Sequence, residues 1–128
     1  MRKTIIVIVI LISLLSYKNV SIASDKWEKS DIILESITQS LLVIDYLQSR
    51  QIVKNPYIYY ESGIASYFIG AHPTMTEMTI YMGASMLIHY LIADCLPSKW
   101  RKYWAGFYMG IEGQVIMQNY QLGLSISF

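Results

Sequence analysis

Few residues of this chain could take part in chemistry: Asp45, Gln48, Arg50, Glu61, His72, His89, Asp94 and Glu112. Helices folding side by side could bring Asp45, Glu61 and His89 together, supplying ligands for a metal or an acid–base pair for a reaction. None of the three stands at a spacing diagnostic of such a site. The chain holds no G-x-S-x-G, H-E-x-x-H, phosphate-cradling Gly-rich loop or paired Cys-x-x-Cys. No catalytic residue, metal or cofactor is therefore assigned. The cheaper expectation is a structural polar network of Glu35, Asp45, Gln48, Arg50, Glu61, His89 and Asn119, in which hydrogen bonds orient the helices. In it Arg50 pairs with Asp45 or Glu61, and His89 is a hydrogen-bonded core histidine. An intramembrane or envelope enzyme on Asp45, Glu61 and His89 is the alternative, and it requires those side chains to converge.

The surroundings of these residues are apolar. Of the 128 residues, 54% are hydrophobic and only 15% charged, below the usual charged fraction of about 25%. A single domain of this kind has too few charges to coat its own core, so part of its apolar surface is expected to face lipid or a partner. The net charge is +1, but setting aside Arg2, Lys3 and Lys18 leaves seven basic residues against nine acidic ones. That balance, without a basic stripe, excludes nucleic acid as a partner. Cys95 is the only cysteine, so no disulfide forms within the chain, and it is expected as a buried small hydrophobe.

The first residues read as an export signal or anchor. Met1-Arg2-Lys3 is a positive n-region, Thr4 to Leu15 is apolar, and Ser21-Ile22-Ala23 offers small residues for cleavage after position 23. The apolar stretch is short of the about 20 residues that a span needs. No cysteine follows to carry a lipid. Residues 1–23 are thus a signal peptide or N-terminal anchor, and 24–128 form one membrane-associated domain.

That domain reads as mainly α: a compact bundle of about three apolar or amphipathic helices with a short extended C-terminal tail. Asp25 with Glu28 can open a first helix. From Asp31 to Val53, Ile33, Ile37, Leu41, Ile44 and Leu47 fall on one arc at 100° per residue, with Glu35, Thr38, Gln39 and Ser49 opposite and Asp45 between. The apolar arc is expected to pack, and Asn55-Pro56 to end the helix. Pro56 to Pro73 reads as a Tyr-rich connector. Thr74 and Glu77 then make a capping box for a nearly all-apolar helix ending at Pro97, the best candidate for a membrane span. Ser98 can cap a last helix opening on Lys99, Trp100, Arg101, Lys102, Tyr103 and Trp104, basic and aromatic residues of the kind found at a membrane–water interface. Gly106 and Gly110 allow close helix approach. If the first helix stays out of the bilayer and the leader is removed, the third enters from outside and the basic cluster lies inside, as the positive-inside rule prefers. Tyr120, Leu122, Leu124, Ile126 and Phe128 alternate like a strand. The rest of the chain lacks the eight such segments a barrel needs, so a tail pinned by Phe128 is expected.

Taken along the chain, Leu34-Glu35, Asp45-x-x-Gln48-Ser49-Arg50, Tyr60-Glu61, Gly70 and Pro73 form a pattern. It continues through Tyr81, His89, Leu96-Pro97, Arg101, Asn119, Gly123 and Phe128. The pattern resembles a group of small uncharacterised exported or membrane proteins of bacteria and tailed phages. Ser49 stands where that group has threonine, and Glu61-Ser62-Gly63-Ile64 where it has Glu-x-Asn-Pro. The resemblance implies residence in a bacterial cell membrane or the periplasm and supplies no catalytic assignment. The expected function is a structural or interaction component of the envelope, in a phage setting one connected with lysis. Its expected partners are lipid and a protein partner or a second copy. A soluble periplasmic helical domain is a further alternative.

Overall fold

The computed structural model describes residues 25–126 and Phe128, so the leader at 1–23 lies outside the described residues. Four helices account for most of them: α1 (Lys29–Lys54), α2 (Gly63–Ile69), α3 (Met75–Cys95) and α4 (Ser98–Gln121). At 1.5 Å per residue the three long helices measure about 39, 32 and 36 Å. No strand occurs among the described residues.

Local sequence explains the helix ends, not always as expected. The α1 box is shifted one turn: the Glu28 backbone N–H donates to Asp31 Oδ2 at 3.0 Å. Asp25 instead accepts from the backbone N–H of Ser98 at 3.1 Å, so it serves α4, whose N-cap is Pro97 rather than the expected Ser98. Thr74 and Glu77 cap α3 reciprocally, as their spacing dictates. The connector is not wholly irregular. Its residues 63–69 form α2 between Gly63 (φ 66°) and Gly70 (φ 81°), and the Glu61 N–H to Ala71 carbonyl bond of 2.8 Å closes the loop around it. Glycine suits both ends because other residues pay a steric penalty at such φ.

α1 packs against both α3 and α4. Asp31 meets Arg101 at one end and Asp45 meets Asn119 towards the other, so α1 and α4 run parallel. Glu35 meets His89, and Tyr46 meets Thr79, so α3 runs antiparallel to α1. The start of α1, the end of α3 and the start of α4 therefore share one end of the bundle. α1 therefore lies along both other long helices.

The faces of α1 differ from expectation. Of the apolar arc, Ile33 and Ile37 are exposed and Leu41, Ile44 and Leu47 half-buried, while Asp31, Glu35, Thr38, Gln48 and Ser49 are buried beside Leu42 and Ile52. Periodicity divides a helix into two faces, but it cannot say which one finds partners. Here α3 and α4 offer polar partners, and the polar face turns inward.

The end of the chain departs from expectation in a similar way. After Gly123 (φ 85°) the tail is extended without forming a strand, and Leu124 is buried while the Phe128 ring is exposed. Gln51 reaches the Ser125 carbonyl at 2.6 Å, and Lys54 the Phe128 carbonyl at 3.0 Å. Main-chain acceptors and Leu124, not the terminal ring, fix the tail. Cys95 is exposed at the last residue of α3, where the chain turns, rather than buried. A Cβ at Gly106, Gly110 or Gly113 would meet nothing within 4 Å, so none of the described helices uses their close-approach surface.

Candidate functional site

The polar side chains of the interior form two groups along the bundle axis. At the shared end, Arg101 is buried and joins three segments. Its Nη1 lies 3.3 Å from Asp31 Oδ2, its Nε donates to the Ala93 carbonyl at 3.0 Å, and its Nη2 donates to the Asp25 carbonyl at 2.6 Å. The guanidinium also lies over the Trp27 ring, 5.0 Å from its centroid, and the Trp27 indole donates to Asp94 at 3.0 Å. Arginine suits this position because its planar fork bonds several acceptors at once. The expected interfacial cluster is thereby divided. Lys99, Trp100, Lys102 and Tyr103 are exposed, whereas Arg101 is buried and Trp104 half-buried.

One turn further along α1, Glu35 Oε1 lies 3.2 Å from His89 Nδ1 and accepts from Gln39 Nε2 at 2.7 Å. Gln39 also donates to the Met86 carbonyl. The carboxylate only accepts, so Nδ1 carries the proton. The His89 ring stacks on Trp104 at 5.3 Å and meets the edge of Tyr108 at 4.5 Å. His89 is 1% exposed, and its Nε2 has no hydrogen-bond partner among the described residues.

The second group lies deeper along α1. Asn119 Nδ2 donates to Asp45 Oδ1 at 2.8 Å and lies 3.4 Å from Gln48 Oε1, while Gln48 donates to the Ile116 carbonyl. Glu112, two turns before Asn119 on the same face of α4, is 8% exposed, and its Oε2 has no partner. It lies within electrostatic reach of Asp45 and Tyr108. Glu61, on the connector, has its carboxyl pushed above the usual range by burial; the Ser62 N–H opposes this and the Asp45 charge adds to it.

Of the residues expected in one network, Glu35 and His89 are joined, Asp45, Gln48 and Asn119 are joined separately, and Glu61 accepts from the Ser62 N–H. Arg50 forms no ion pair with Asp45 or Glu61, and its buried Nε has no partner among the described residues. His89 pairs with Glu35, not with Asp45 or Glu61, and no hydrogen bond links those three. No group of acidic, histidine or cysteine side chains among the described residues could hold a metal ion. His72 is exposed on the connector. Sequence reasoning passed over Asp31, Gln39 and Tyr108. A signal for the first was available: Asp31, Glu35, Thr38, Asp45 and Ser49 recur at helical spacing and draw one stripe.

The outer surface of the long helices is uncharged between their ends, although α4 exposes Gln114, Gln118 and Gln121. Between Ser30 and Lys54 the exposed residues of α1 are Ile32, Ile33, Ser36, Ile37, Ser40 and Val43. Between Glu77 and Cys95 those of α3 are Thr79, Ile80, Gly83, Leu87 and Tyr90. Beyond Lys102 no charged residue of α4 is exposed. Ser36, Ser40 and Thr79 return their hydroxyls to carbonyls of their own helix at 2.7, 2.8 and 2.8 Å, which satisfies them without water. Among the described residues, α3 alone is long and apolar enough by composition to cross a membrane, and 28% of its apolar stretch is buried inside the bundle.

No protein-family model matches the chain, and no match was found among curated proteins or solved structures.

Proposed function

We propose that this protein is an exported, membrane-embedded component of a bacterial envelope, in which three helices keep their ionisable groups inside and offer lipid an apolar belt. One observation carries the reading: the exposed stretches of α1, α3 and α4 are free of charge between their ends, over lengths close to the about 30 Å of a bilayer core. The buried residues point the same way. Asp31, Glu35, Thr38, Gln48, Ser49, His89, Arg101 and Glu112 match the buried apolar residues in number, an arrangement that is costly in water and apt in lipid.

With residues 1–23 as the export signal, the end holding Asp25, Cys95 and Lys102 lies outside and the α2 connector inside, an orientation set by the leader and opposed by the positive-inside rule. The protein then acts as a structural or interaction component. Its first partner is lipid, and the glycine face of α4 is open to a protein partner or a second copy. In a tailed-phage setting it is an accessory of envelope disruption. Carbonate extraction of membranes tests the embedding: retention in the pellet is expected, and release into the wash supports a soluble periplasmic domain instead. Inducing the gene alone while following culture density and membrane potential tests the lytic role, which unchanged growth and potential would remove.

A further inference from the structure

The side of α4 that the described residues leave uncovered carries amides as well as hydrocarbon. Tyr103, Phe107, Gly110, Gln114, Met117 and Gln121 are all exposed, and they stand alternately four and three residues apart. That alternation repeats every 3.5 residues, which lines the six up as one seam and suits a left-handed pair of helices. Gln118 flanks the seam on one side, and Gly106 and Gly113 flank it on the other. The glutamines distinguish this face from those of α1 and α3. There Ser36, Ser40 and Thr79 return their hydroxyls to carbonyls of their own helix, whereas an amide brings two N–H donors and an acceptor, more than its own helix takes up. Gln114 lies twelve residues beyond Lys102, about 18 Å along the helix and so within a hydrocarbon core of about 30 Å. Lipid gives that amide nothing to bond, and a facing helix does.

We propose that two copies of this chain pair through the exposed seam of α4, parallel and in register about a twofold axis along the membrane normal. Copies placed by the same leader share one orientation, so two α4 helices meet parallel and each residue of the seam faces its own counterpart. Such a residue must complement itself. Glutamine does, because each amide donates to the carbonyl of the other, and one amide in such a seam fixes the register. Glycine does, because two missing side chains let the backbones approach. A Cβ at Gly106, Gly110 or Gly113 meets no described atom within 4 Å, so that surface is left for the second copy. Exposed charges, which would repel their counterparts, are absent from α4 beyond Lys102. With Tyr103, Phe107 and Met117 packed beside the glutamines, two copies cover on the order of 1,000 Å², the size that a specific interface needs.

The pairing rests on the membrane-embedded reading, and the same membranes test both. The full chain is expressed with Gly110→Cys, Gln114→Cys or Met117→Cys, each in a Cys95→Ser background, and its membranes are oxidised with copper phenanthroline. Ile37→Cys and Leu87→Cys, exposed on α1 and α3, report chance collision. Positions 110, 114 and 117 should each give a disulfide-linked product of twice the mass of the chain, several-fold above positions 37 and 87. Adding Gly110→Ile to the Gln114→Cys chain should cut that product several-fold. Circular dichroism should show its fold unchanged, since nothing described in the chain itself meets a Cβ there. Protein that stays in the carbonate pellet yet links at 110, 114 and 117 no better than at 37 and 87 overturns the pairing but not the embedding. A product of any other mass overturns the second copy as the partner. A folded Gly110→Ile chain that links as before overturns the close approach on which the pairing depends. Protein released by carbonate overturns both readings.

Discussion

Glu35 Oε1 and His89 Nδ1 lie 3.2 Å apart in the interior, linking α1 to α3 across 54 positions of sequence. On the same turns of α1 the residues that face outward are Ile33 and Ile37. The pair shows how the molecule is arranged: hydrogen bonds and charge hold its centre, and hydrocarbon covers its outside.

Removing one member of that pair leaves the other buried and unpartnered. Glu35→Ala or His89→Ala should each cost about 3 kcal/mol. The double variant Glu35→Ala with His89→Ala should be less destabilised than the sum of the two single truncations. Thermal unfolding in detergent micelles, set out as a double-mutant cycle, measures the coupling; additive losses would show that the two side chains act independently.

Arg101 should tolerate no substitute. Lysine offers a point charge where Asp31 and the carbonyls of Ala93 and Asp25 need a fork, so Arg101→Lys should destabilise by about 2–4 kcal/mol, close to the loss from Arg101→Ala. Lys102, one residue on, pairs with Glu28 in solvent, and Lys102→Ala should leave the unfolding temperature unchanged within error. Comparable losses at 101 and 102 would contradict the burial of the guanidinium.

Glu61 makes stability depend on pH in a defined direction. Burial raises its folded-state value above the ordinary 4.5, so the folded protein binds this proton more tightly than the unfolded chain does. The contribution is full below about 4.5 and is lost as pH rises through the raised value. Glu61→Gln should therefore be more stable than the wild type at pH 7, with the advantage vanishing on acidification below about 4.5. Unfolding temperatures of the two proteins across this range check the sign, and an advantage that grows on acidification contradicts it.

The tail offers a comparison of two apolar residues. Leu124 is 2% exposed and Phe128 88% exposed. Leu124→Ala should cost about 2–4 kcal/mol, and Phe128→Ala should have no measurable effect on unfolding.

How much of this was legible beforehand follows from what each signal encodes. The boundaries of α3 could be read because Thr74 and Glu77 are three apart and Pro97 cannot continue a helix. The two faces of α1 could be read as well, but not their direction, because the choice depends on polar partners that α3 and α4 supply from far along the chain. The short α2 escaped notice since seven residues between two glycines carry no periodic signal. His89 was legible as a hydrogen-bonded core histidine. Its partner was not, since nothing local ties position 89 to position 35. Arg101 was read with its basic neighbours as interfacial, although its position on the helix, not its type, turns it inward.

The central claim is that α1, α3 and α4 cross the bilayer together with their charged ends on opposite sides. Cys95, the only cysteine and exposed at one end of the bundle, reports this directly alongside Ser62→Cys in a Cys95→Ser background, which marks the connector end. Spheroplasts are treated with a membrane-impermeant maleimide before and after permeabilisation. The account predicts labelling of Cys95 in intact spheroplasts and labelling at position 62 only once the membrane is opened. Equal labelling of both positions before permeabilisation would contradict it.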